Sequence, residues 1–186
     1  EDMFRFAIAE VEEALDDQLK TFDITKSPTT RSLRFGTWVG GDRDGNPNVT
    51  HDLTRKILDL QHERSLKMFA PAIAALAQTL SQSTRIVEIS DELSKSLEKD
   101  RSELPKVWDE FWNLDEDEPY RLKCAFIYER LLNGIAAAEN SGKNEPRYSG
   151  VDPLLADLQL ILDSLDANES IESANGEVRR LMQRIS

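Results

Sequence analysis

Phe35-Gly36-Thr37-Trp38-Val39-Gly40-Gly41-Asp42-Arg43-Asp44-Gly45-Asn46-Pro47-Asn48-Val49-Thr50 decides how this chain is read. Four glycines, a proline, two aspartates, an arginine and two asparagines follow one another within it. A surface turn needs one or two such residues. A run of this length fixes the backbone in an unusual path and aims charged groups from it. Before the glycines, Ser32 to Val39 alternates apolar and polar side chains, which predicts a strand over 32–39. A single strand cannot pair its own backbone groups, so its partners are expected outside these residues. After the glycines, Thr50 is placed to cap a helix, with Asp52 favourably set against the helix dipole.

Outward from this stretch, the chain reads as amphipathic helix. Phe4, Ile8, Val11, Leu15, Leu19 and Phe22 recur at spacings of three and four, predicting a helix through about residue 21. Residues 23–31 are polar, with a break at Ser27-Pro28. Leu53, Ile57 and Leu60 open a long helix that Phe69, Ile73, Leu76 and Leu80 continue, and Pro71 is expected to kink or split it. Ile86 to Ile89 fits a short strand, while Ser90 and Asp91 cap a helix from about 91 to 100. Pro105 is expected at the first position of a helix carrying Trp108, Phe111 and Trp112. Asp115 to Glu118 forms an acidic helix start before Pro119. Tyr120, Cys124, Ile127, Leu131 and Ile135 make the next stripe. Asp152-Pro153 is expected to cap a helix with Leu155, Leu158, Leu162 and Leu165, and a last helix begins near Ser173. The organisation read from this is a helix over 1–22, strand and glycine-rich loop over 32–50, and a helical region over 51–186. No heptad is sustained, so a packed bundle is expected rather than a coiled coil.

Composition sets limits. With 23 Lys and Arg against 35 Asp and Glu, the net charge of −12 argues against a broad basic face for nucleic acid or for an anionic membrane. A local arginine cluster can still bind a small anion. Cys124 is the one cysteine, so no disulfide forms within the chain, which fits a reducing cytoplasm. It is read as a small apolar residue on a helix face. No apolar run reaches the ~20 residues that span a bilayer. Glu1 already lies inside one helical pattern and Ser186 closes another, so the chain is expected to be a piece of something longer.

The generic readings of the glycine-rich loop fail. A Walker loop ends in Gly-Lys-Ser/Thr, whereas Gly45 is followed by Asn46 and Pro47. Gly40, Gly41 and Gly45 have the wrong spacing for a dinucleotide fingerprint. Asp42, Asp44 and Asn46 look like a calcium loop, but Gly45 precedes Asn46 and the twelfth position counted from Asp42 is Leu53. What remains is a loop between a strand and a helix N-terminus, a place where α/β barrels build sites and where free N–H groups favour an anion. Gly40 and Gly41 permit close backbone approach. Arg43 offers a planar fork for phosphate or carboxylate. Asp42 and Asp44 either orient Arg43 or neutralise it in an internal salt bridge.

Trp38 to Thr50 resembles the phosphoenolpyruvate carboxylase family, whose segment has the form Phe-x-Ser/Thr-Trp-x-Gly-Gly-Asp-Arg-Asp-Gly-Asn-Pro-x-Val-Thr. Leu53-Thr54-Arg55, Glu118-Pro119-Tyr120-Arg121, and Ala174-Asn175-Gly176 with Arg179-Arg180-Leu181 extend the likeness more weakly. The resemblance implies a mainly α chain that is the helical portion of a larger α/β-barrel enzyme. It implies an enzyme adding bicarbonate to phosphoenolpyruvate to give oxaloacetate and phosphate, an anaplerotic carbon fixation. Mg²⁺ or Mn²⁺, a cytoplasmic homotetramer and inhibition by aspartate or malate are implied with it. Within this chain it points to Arg43, Asp42, Asp44, Asn46, Gly40 and Gly41 as a loop for a substrate or effector anion. The family's catalytic histidine, its lysine-bearing loop, its His-Gly-Arg-Gly-Gly loop and its metal carboxylates do not occur here. His51 and His62 stand in the wrong context and are read as surface residues. No catalytic residue and no metal ligand is therefore expected in this chain, and it is expected to be inactive alone. The alternative is a helical module that binds proteins through Trp108, Phe111 and Trp112 and catalyses nothing.

Overall fold

A computed structural model describes residues 7–25, 33, 36, 38–42, 44–81, 89–112, 118–139, 145–167 and 172–185. Among them are seven α-helices: α1 (Ile8–Lys20), α2 (His51–Ser81), α3 (Asp91–Glu103), α4 (Pro105–Trp112), α5 (Pro119–Ala138), α6 (Val151–Ala167) and α7 (Glu172–Ile185). The chain is mainly helical, and no strand occurs among the described residues. Leu33, Gly36 and Trp38 make no sheet pairing, and Val39 to Gly41 form a turn. The strand expected over 32–39 is thus absent where it is described. Its alternating pattern finds no neighbouring strand here to take its backbone hydrogen bonds, and pattern alone does not hold a strand. Its other residues, and Ile86 to Glu88, lie outside the described residues.

Packing centres on α2 and α5, which make the most extensive helix–helix contact among the described residues. α6 packs on α7, α7 reaches α1 and α2, and α3, α4, α5 and α6 close the other side. The core is the set of stripes that helical spacing brings to one face: Ile73 and Leu80 of α2, Phe126, Ile127 and Leu131 of α5, and Leu158 and Leu165 of α6 are fully buried. α2 passes unbroken through Pro71. The proline cannot donate to the Lys67 carbonyl, but Leu66 and Ala70 before it and Ile73 and Leu76 after it are all buried in the core. Burial on both sides holds the two halves as one helix. α1 is less covered: Ile8 is buried, whereas Val11 and Phe22 of the same stripe stay in solvent.

Caps place the helix starts. The Ser90 side chain accepts from the Leu93 N–H at 3.2 Å, opening α3 as expected. The Ser90 N–H donates to Ser164 Oγ at 3.0 Å, and Ser164 Oγ shares a 2.9 Å hydrogen bond with the Tyr120 hydroxyl. One buried serine on α6 thus ties the first turns of α3 and α5 together. Pro105 opens α4 and Pro119 opens α5. α6 begins at Val151, ahead of the expected Asp152 cap. Asp152 and Pro153 sit inside its first turn, where the N–H that Pro153 lacks would have no helical partner. Glu118 is buried before α5 and accepts from Arg121 at 2.7 Å, whereas residues 115–117 lie outside the described residues. Trp108 packs half-buried against the core under the guanidinium of Arg101, 4.4 Å from its ring centre. The Phe111 and Trp112 side chains lie outside the description.

Candidate functional site

The glycine-rich loop folds back on the first turns of α2. The Trp38 carbonyl accepts from the Gly41 and Asp42 N–H groups at 3.3 and 3.2 Å. Asp42 Oδ1 accepts from the Asp44 N–H at 3.1 Å, and Asn46 Oδ1 from the Asn48 N–H at 3.0 Å. Each is a side chain closing its own short turn two residues on. Thr50 Oγ1 accepts from the Leu53 N–H at 3.2 Å, the expected cap of α2. Thr54, one turn into α2, donates its hydroxyl to the Gly40 carbonyl at 2.6 Å. That bond pins the loop to the helix across 14 positions of sequence.

Gly40 is the point where backbone meets helix. Its φ is +68°, and a Cβ there would stand 2.7 Å from Ile57 Cγ1. Gly45 has φ +65° but open space around it. A left-handed L-residue costs about 1–2 kcal/mol, so Gly45→Ala carries that cost alone. Gly40→Ala adds a clash with a stiff β-branched side chain. Hydrogen exchange at the Gly41 and Asp42 amides is expected to speed up at least about tenfold more in Gly40→Ala than in Gly45→Ala. Equal exchange in the two variants would contradict the anchoring role of Gly40.

The sequence-expected site residues fall as follows. Asp42, Asp44 and Asn46 are exposed, Gly41 is exposed and Gly40 is half-buried. The structure brings these five into one short loop at the α2 N-terminus. Arg43 lies outside the described residues. His51 and His62 are both exposed. Cys124 is fully buried, and burial pushes its thiol up to about 12.

A second polar assembly escaped the sequence reading. Lys123 on α5 is fully buried and donates to Ser96 Oγ at 2.7 Å, Asp100 Oδ2 at 2.8 Å and Asp157 Oδ1 at 2.6 Å. Arg130, two turns further along α5, donates from Nη2 to Asp100 Oδ1 at 2.6 Å and Glu103 Oε2 at 2.7 Å. The Tyr148 hydroxyl donates to Asp157 Oδ2 at 2.6 Å. Burial opposes the Arg130 charge, but the hydrogen bonds to Asp100 and Glu103 outweigh it and hold the guanidinium above its ordinary range. Burial, then the neighbouring Asp157 charge, raises the Tyr148 phenol. The signal in the sequence was Lys123 and Arg130 at spacings of four and three from Ile127, in phase with the core face of α5. The assembly joins α3, α5 and α6, and its chemistry is structural: each acid is held by a cation or phenol that is itself buried or half-buried. Among the described residues no group of three or more His, Cys, Asp or Glu side chains is arranged to hold a metal ion. No described helix is long and apolar enough to cross a membrane.

A family model described as "Phosphoenolpyruvate carboxylase" matches residues 1–186. Among curated relatives of the same name, that of Xanthomonas euvesicatoria pv. vesicatoria (strain 85-10) is 42% identical over 155 residues, covering 83% of this chain and 16% of the relative. That of Roseiflexus castenholzii (strain DSM 13941 / HLO8) is 36% identical over 160 residues, with 82% and 17% covered. That of Rhodopseudomonas palustris (strain BisA53) is 35% identical over 179 residues, with 92% and 18% covered. The chain therefore spans 16–18% of the length of these relatives.

Proposed function

The chain belongs to the phosphoenolpyruvate carboxylase family, and on that premise we propose that it is one region of an enzyme that carboxylates phosphoenolpyruvate with bicarbonate. In this reading a bicarbonate oxygen attacks phosphorus, and the phosphoryl group leaves the enol oxygen. The products of that step are carboxyphosphate and the enolate of pyruvate. Carboxyphosphate breaks down to CO₂ and inorganic phosphate, and the enolate carbon attacks CO₂ to give oxaloacetate. Every species on this path except CO₂ is anionic, so positioned donors that offset charge set the rate.

What this region contributes is the loop from Trp38 to Thr50. Its support is the single arrangement in which an exposed, glycine-bearing loop is stapled to the first turn of α2 by Thr54 and closed on itself by the Asp42 and Asn46 side chains. A loop fixed on both sides of position 43 lowers the entropic cost of meeting an anion there. Arg43 contacts a substrate or effector anion, and Asp42, Asp44, Asn46, Gly40 and Gly41 fix the loop that carries it. The helices described here flank an α/β barrel built from the remainder of the protein, which assembles as a cytoplasmic homotetramer responsive to aspartate or malate. The described residues do not fit a divalent cation, so Mg²⁺ or Mn²⁺ is held by residues elsewhere in the enzyme. One region of a barrel enzyme cannot assemble a site drawn from several strands, so these 186 residues alone are inactive.

Kinetics of Asp44→Asn in the intact enzyme, with and without aspartate, test which anion the loop serves. A raised KM for phosphoenolpyruvate with unaltered aspartate inhibition assigns the loop to substrate. Lost inhibition with an unaltered KM assigns it to the effector. No change in either removes the loop from both roles.

A further inference from the structure

A cavity of about 640 Å³ opens between α2, α5 and the N-terminal end of α6. That volume suits a small molecule. Its polar lining is His62 and Ser65 of α2, Arg130 of α5, and Arg147 and Tyr148 of the segment leading into α6. Asp59 is the one acid in the lining. In a chain with 35 acids against 23 Lys and Arg, a cavity with two arginines, a histidine and one aspartate is a local reversal of charge.

The Arg130 charge is matched by Asp100, Glu103 and Asp157, but one of its N–H groups lacks an acceptor, and Arg147 lacks a described partner altogether. Arg147 has no hydrogen bond or ion pair with any described residue. Arg130 is only 7% exposed, and its Nη2 is taken by Asp100 and Glu103. Its Nη1 is shielded from water and has no hydrogen-bond partner among the described residues, with Asp157 Oδ2 3.9 Å away. A buried N–H left unpaired is costly and marks a missing acceptor. Tyr148, whose ring centre is 5.9 Å from the Arg130 guanidinium carbon, roofs this group, so an entering ligand displaces the ring.

We infer that this cavity binds a small molecule through its phosphate or carboxylate group, which Arg130 and Arg147 hold from two different elements. A planar guanidinium fork matches the oxygens of either group. Leu66, Leu131 and Leu154 give the remainder of the ligand an apolar floor. The cavity shares no residue with the glycine-rich loop, so this inference stands apart from the function proposed above.

The test is calorimetric titration of the 186-residue chain with inorganic phosphate and, separately, with malonate, each repeated on Arg147→Ala and Arg130→Lys. Arg147 is exposed and has no partner among the described residues, so its variant is expected to keep the helical circular dichroism of the parent even where Arg130→Lys does not. Saturable one-site binding of at least one anion is expected, weakened about tenfold or more in Arg147→Ala. Absence of saturable binding for both anions overturns the inference, as does unchanged affinity in Arg147→Ala. Binding by the 186-residue chain that vanishes in the intact protein also overturns it, since a carboxylate of the protein itself then fills the cavity.

Discussion

Lys123→Ala is expected to destabilise the 186-residue chain by about 3–5 kcal/mol, the usual cost of breaking a buried ion pair by removing one partner. The lysine is fully buried and its ammonium group donates to Ser96, Asp100 and Asp157 at once. Truncation leaves Asp100 leaning on Arg130 alone and Asp157 on the Tyr148 hydroxyl. It also opens a void between α3, α5 and α6. At this chain size each kcal/mol moves the midpoint by about 2–4 °C, so a fall of roughly 10 °C in a thermal melt is expected. Adding Asp157→Asn removes the carboxylate that loses its close cation and is expected to recover part of the loss. A fall below about 1 kcal/mol would mean that water or rearranged side chains satisfy the acids, and the assembly would then not hold the three helices together.

Arg43→Ala in the intact enzyme is expected to lower kcat/KM by about 10²–10³, the typical loss when one positioned donor to a developing anion is removed. Asp42 and Asp44 lie on either side of it in an exposed loop whose path is fixed by Gly40, Thr54 and the two short side-chain turns. The contacts that hold the described part of the loop come from Gly40, Asp42, Asn46 and Thr54, and the variant is expected to keep the circular dichroism of the parent. Arg43→Lys keeps the charge but loses the fork, and only partial recovery is expected. A variant with unaltered kcat/KM and an unaltered response to aspartate would remove Arg43 from both substrate and effector binding.

The helices were legible because each carries its own signals. Ser90 before α3, Pro105 at the start of α4 and Pro119 at the start of α5 act within a few residues, and the Tyr120 to Ile135 stripe follows the helical period. Where a feature depends on distant residues, local pattern misled. Ser32 to Val39 alternates like a strand, yet a strand forms only against a neighbour, and none is present among the described residues. Pro71 is expected to kink or split α2, and the split does not occur because the core contacts of Leu66, Ala70, Ile73 and Leu76 lie on both sides of it. The Lys123 and Arg130 assembly was not seen because burial of a charge is decided by what faces it, and Asp100 and Asp157 belong to other helices. The candidate loop was legible for the opposite reason. Its chemistry is contiguous in sequence, from Gly40 to Thr50, and most of its hydrogen bonds run to residues two or three places away.

Oxaloacetate formation from phosphoenolpyruvate and bicarbonate, assayed side by side on the 186-residue chain and on the intact protein, is the most direct test of the family role. Each sample is checked by intact mass. Turnover confined to the intact protein is the expected result. Turnover by the 186-residue chain, or none by the intact protein, would contradict the assignment of this chain as a catalytically incomplete region of a phosphoenolpyruvate carboxylase.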